Sequence, residues 1–150
     1  MKFLTIAAIA VTAALPLAAH AEQEEDVLQG RQGYMKLLSL NMAPLAAMAK
    51  GEIDYDEAAA SKAAANIEAL TKYDIPPLFI EGTANGEMEG SDALPAIWEK
   101  PEDFAMSYAA LGEAASGASE AVKGGQANIG PVLQKLGGAC KDCHDSFRKK

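Results

Sequence analysis

The run Cys140-Lys141-Asp142-Cys143-His144, which ends six residues before the last, constrains the chain more than any other feature. C-x-x-C-H is the attachment signature of a covalent c-type haem. On a helix, positions i, i+3 and i+4 share one face, so both thiols reach the haem vinyl groups while the imidazole points at the iron. The motif therefore demands a C-terminal helix with an inward face, and it implies one haem c per chain with His144 as an iron ligand. A haem-free dithiol is the competing reading. A redox dithiol, however, should open a helix after a strand, where the helix N-terminus lowers the thiol pKa, and this one closes a helical pattern. A zinc site would need further ligands, and the chain holds no other cysteine.

Met1-Lys2, an apolar stretch from Phe3 to Ala18 interrupted by Pro16, and Ala19-His20-Ala21 have the layout of a cleavable secretory signal with an A-x-A site. Residues 1–21 are thus expected to be removed, leaving 22–150 as one domain of ordinary size and no membrane insertion. Export to the periplasm suits the cofactor. Loss of Lys2 takes the formal net charge from −8 to −9. That balance disfavours nucleic acid and anionic membrane surfaces as partners and is compatible with a basic redox protein.

Leu28, Arg31, Met35, Leu38, Met42 and Leu45 alternate at spacings of three and four, the seam of a bundle helix from Glu24 to about Ala49. Pro44 predicts a kink near Leu40 or an irregular end. Asp54-Tyr55-Asp56-Glu57 opens a second helix with the stripe Ala63, Ile67 and Leu70. The prolines and glycines between Asp74 and Lys100 make that segment a long connection. Pro101 starts a third helix through Phe104, Tyr108, Leu111, Ala115, Ala118 and Val122, stopped by Gly124-Gly125. The fourth runs from about Asn128 to Arg148 with Ile129, Leu133, Leu136, Cys140, Cys143 and Phe147 inward. Gly137-Gly138, costly inside a helix, suggest that the haem plane or a neighbouring helix presses there. No period-two β-branched run occurs after the signal, so the expected fold is all-α, an antiparallel four-helix bundle with a covalently bound haem c.

The histidines are His20 and His144, and the first leaves with the signal. A bis-histidine iron within one chain is excluded, which leaves methionine, lysine, water or nothing as sixth ligand. Met35 lies four residues after Arg31, an inward cation that calls for an anion such as a haem propionate. Two accounts stand side by side: Arg31 and Gln32 bind the cofactor edge with Met35 one turn on, or Met35 fills the core and Arg31 pairs elsewhere.

Arg31-Gln32-Gly33-Tyr34-Met35, Trp98 ahead of Pro101, and Cys140 to His144 followed by Phe147-Arg148 together resemble cytochrome c′ over essentially the whole mature chain. The resemblance implies a bundle, often a homodimer through its first two helices. It implies a pentacoordinate high-spin iron with His144 as proximal ligand and Met35 over the distal face. Arg31 and Gln32 would then lie near the propionates and Arg148 on the proximal side. It further implies NO and CO as ligands, with electron transfer as a second role. Relatives of the cytochrome c-556 type use a methionine at this position as a true sixth ligand, which makes a six-coordinate His144/Met35 electron carrier the alternative. No second imidazole is available for acid–base work, so the reading is a non-enzyme.

Overall fold

In the computed structural model the backbone is described over residues 15–150 and the side chains from residue 22. The cleavable signal read over residues 1–21 lies outside the described side chains. Four long helices form the frame: α1 (Leu15–Lys50), α2 (Glu57–Leu70), α3 (Pro101–Ala115) and α4 (Ile129–Phe147). α1 packs on α2, α3 packs on α4, and α1 also meets α4. Among the described residues the only β-type pairing is an isolated antiparallel bridge between Ala93 and Arg148.

Local chemistry sets the helix ends. Asp56 Oδ1 accepts the Ala59 amide at 2.9 Å and caps α2. At the end of α1, Gly51 takes a left-handed φ of 71°. Gly51 N–H then bonds Met48 O and Glu52 N–H bonds Ala47 O, the paired bonds of a Schellman motif. α1 continues as helix through Pro44 to Lys50. Proline removes one helix bond, but Leu45 and Met48, directly beyond it, are buried in the core and hold the final turns in place.

The third helix is shorter than its apolar stripe. It stops at Ala115 because Gly117 adopts φ 71°, and a separate turn, Ala118–Ala121, follows. Ala118 and Val122 are still buried, so the stripe crosses the break. Tyr55 Oη donates to Val122 O and Ser61 Oγ to Ser119 O, both at 2.9 Å, which fastens this turn to α2.

The long connection between α2 and α3 is built rather than loose. Trp98 Nε1 donates to Phe79 O at 3.1 Å. Edge-on ring contacts continue from Phe79 to Phe104 on α3 and from Phe104 to Phe147 on α4, with centroids 4.8 and 5.4 Å apart. Leu94 N–H bonds Phe147 O and Lys149 N–H bonds Asp92 O, so the end of α4 is tied to the same segment.

Candidate haem site

Ile129, Val132, Leu136 and Phe147 are the buried residues of α4, and Cys140 and Cys143 continue that face, half-buried against the core cluster. The two thiols are not joined to each other. Burial pushes both thiols above the ordinary cysteine value, the reverse of what a redox dithiol needs. A cleft of about 490 Å³ lies beside Cys143 between α3 and α4, with Met106, Ala110 and Ala139 in its wall.

His144 is half-buried on the next position. Burial, and then the charge of Arg148, lower its pKa, while Asp145 works the other way. The shift favours the neutral imidazole, the form that can bind a metal. Arg148 is itself exposed, and its backbone N–H bonds His144 O at 3.2 Å.

On α1 the interior face differs from expectation by one residue. Tyr34 is 6% exposed and Met35 36%. Both positions satisfy a three-four seam between Arg31 and Leu38, and the phenol wins because its hydroxyl finds partners. Tyr34 Oη lies 2.8 Å from Tyr108 Oη and 3.1 Å from Leu70 O, and Tyr108 Oη lies 2.9 Å from Tyr73 O, so the two phenol protons are shared among three contacts. Burial first, and then the hydrogen bond to Tyr108, raise the Tyr34 pKa far above the phenol range. Met35 stands at the edge of the interior, one turn past Arg31.

Arg31 is 5% exposed, and neutral oxygens of the long connection receive it. Nη1 donates to Thr83 Oγ1 at 3.4 Å, and Nη2 donates to Thr83 O at 3.2 Å and Ser91 Oγ at 3.1 Å. Its Cζ lies 4.7 Å from the centre of the Phe79 ring. Gln32 Nε2 donates to Gly90 O at 3.1 Å. Thr83 and Ser91 lie more than fifty residues from Arg31, and nothing local in the sequence marks them.

These residues fit a haem. The two thiols and the imidazole share the inner face of α4, and the buried guanidinium is a cation suited to a carboxylate. Among the described residues, no atom of another helix lies within 4 Å of a Cβ built at Gly137 or Gly138, so close approach of a neighbouring helix is not what those glycines accommodate. Two half-buried glycines ahead of Cys140 leave room for a flat ring against that face.

A helical bundle whose last helix carries C-x-x-C-H on its inner face defines a c-type haem protein. The comparisons narrow that class. The cytochrome C′ family model matches residues 26–148. A cytochrome c′ of Cereibacter sphaeroides is 44% identical over 138 residues, 92% of this chain and 93% of that protein. A cytochrome c-554 of the same organism is 42% identical over 147 residues, 98% and 94% respectively. Among solved structures, cytochrome c′ from Rhodobacter sphaeroides is similar with a TM-score of 0.81 at 42% identity, covering 85% of this chain and 98% of that one. A point mutant of Alcaligenes xylosoxidans cytochrome c′, solved as a nitric oxide complex, has a TM-score of 0.71 at 27% identity, covering 85% and 97%. The chain belongs to the cytochrome c′ family. It is an antiparallel four-helix bundle, its cofactor is haem c held covalently through cysteine, and Cys140 and Cys143 are its two cysteines.

The Tyr34 shift has a measurable sign. Its phenol keeps its proton in the folded chain while the unfolded chain loses it near pH 10. The stabilisation is full below that value and is lost as pH rises above it. Thermal unfolding of Tyr34→Phe against the parent should therefore show a difference that narrows above about pH 10; a difference that stays constant into strong alkali contradicts the assignment.

Proposed function

We propose that this is an exported, periplasmic haem c protein in which His144 is the one side chain bonding the iron, and whose other face binds NO or CO. The observation that carries this reading is the engagement of Tyr34. Its hydroxyl is engaged with Leu70 O and Tyr108, and burial raises its pKa and so disfavours the phenolate, which leaves it free neither to bond the iron nor to donate to a bound gas. With His144 the one imidazole after His20, no second imidazole competes for the sixth position. The nitric oxide complex of the Alcaligenes relative supports the same chemistry.

When bound, the iron supplies the site that takes a diatomic ligand. The chain's own part is selection. Met35 covers the distal face without bonding the metal, so an entering ligand must displace an apolar side chain and finds no hydrogen bond in return. That penalises polar or charged ligands and favours small neutral ones. Arg31 and Gln32 hold the propionate side, and Arg148 stands on the proximal side, where its charge already acts on His144. Electron transfer with a basic partner is compatible with the acidic surface. No residue is assigned a catalytic role.

The protein is further proposed to pair through α1 and α2. Leu37 is 49% exposed and Leu40 56%, and the adjoining groove of about 730 Å³ is lined by Gly30, Gly33, Ala69, Tyr73 and Leu78. Small residues let a second copy approach closely, and the apolar side chains gain by leaving water.

Absorption spectra of the holoprotein test the iron site. The ferrous form should show a broad visible band that changes when CO or NO is added. Sharp, split bands indifferent to CO mean that the Met35 thioether is bonded, and the protein is then a six-coordinate electron carrier. For the dimer, Leu37→Glu should convert a sedimenting dimer to monomer at micromolar concentration with its spectrum intact; a parent that already sediments as monomer refutes the pairing.

A further inference from the structure

We infer that Ser91, together with Thr83, is a positioning residue for the haem: the pair orients the Arg31 guanidinium toward a propionate and ties that contact to the end of the helix that carries His144. The inference rests on the proposed placement of Arg31 beside a propionate. Neither residue was distinguished by the sequence, and both are buried.

Three hydrogen bonds fix the direction of the guanidinium, and the hydroxyls are themselves fixed. Ser91 Oγ donates its proton to Thr83 O at 2.7 Å, and Thr83 Oγ1 donates to Ile80 O at 2.7 Å. A hydroxyl has one proton and two lone pairs. With the protons spent on carbonyls, only lone pairs face Arg31, and the two hydroxyls cannot turn into competing donors. Ser91 is used completely, since its second lone pair receives the Ala93 amide at 3.3 Å.

The chemical type of these acceptors matters as much as their place. A carboxylate here would neutralise Arg31 and leave little attraction for another anion. Hydroxyl and carbonyl oxygens accept from three of the five guanidinium N–H groups and leave the positive charge undiminished. A buried cation satisfied in this way is costly unless an anion approaches it, and a propionate is that anion.

Ser91 also sits at a junction. Ala93, whose amide it receives, bridges to Arg148, and the neighbouring amides of Leu94 and Lys149 complete the tie to Phe147 and Asp92. One short segment thus grips the α1 cation at one end and the chain just after His144 at the other. The haem edge and the proximal helix are held in register by it.

The test is the reduction potential of the purified holoprotein at neutral pH, with the unfolding temperature measured alongside. Arg31→Gln removes the cation, which favours the oxidised iron and lowers the potential. Ser91→Ala and Thr83→Val should lower it in the same direction and by less. Asn85→Ala breaks the 2.7 Å bond from Asn85 Nδ2 to Ser91 O without touching Arg31. It should lower the unfolding temperature and leave the potential in place, which separates positioning from mere loop stability. If Ser91→Ala yields no holoprotein, Thr83→Val decides, since it keeps the Thr83 carbonyl and both bonds to it. A potential equal to the parent's in the Ser91 and Thr83 variants, with Arg31→Gln shifted, overturns the inference and leaves the propionate reading standing. A potential unchanged in Arg31→Gln removes both.

Discussion

An α-helix has one inward face, and in α4 that face must do two things in succession. Over Ile129, Val132 and Leu136 it is an ordinary core stripe, buried and apolar. Over Cys140, Cys143 and His144 the same stripe loosens to half-burial and turns chemical, before Phe147 closes it again. The spacing of three and four that packs a bundle is the spacing that brings two thiols and an imidazole to one ring. Core and cofactor are therefore not separate designs. A change of register in α4 would move both out of the interior together.

The interior holds a second commitment, and it is electrostatic. Burying Arg31 removes a charge from water, which a bundle core does not repay by itself. The connection between α2 and α3 offsets part of that cost with hydrogen bonds to Thr83 and Ser91 and with the Phe79 ring against the guanidinium. The segment that looks least regular in the molecule is thus among its most determined. Its aromatic contacts run on to Phe104 and Phe147, so the same residues that seat the cation also brace α3 against α4.

The helices were legible because their signals are local. The acidic cap of α2 and the apolar stripes of α2 and α4 each arise from neighbours within one or two turns. The attachment motif was legible for the same reason. Three things were not. Tyr34 and Met35 fit the α1 seam equally well, and the choice between them came from acceptors on α2 and α3. The break after Ala115 depends on Gly117 taking a left-handed φ that an otherwise continuous apolar stripe conceals. The partners of Arg31 lie more than fifty residues away, at hydroxyl residues inside a loop, where no periodicity operates.

Covalent attachment of the haem to the inner face of α4 is the claim on which the site, the ligand chemistry and the positioning argument all stand. Its most direct test is mass spectrometry of the proteolytic peptide that contains Cys140 to His144, taken from the holoprotein after acid extraction. The peptide should carry one haem, bonded through both cysteine sulfurs. A haem-free peptide with two thiols or a Cys140–Cys143 disulfide would contradict the account.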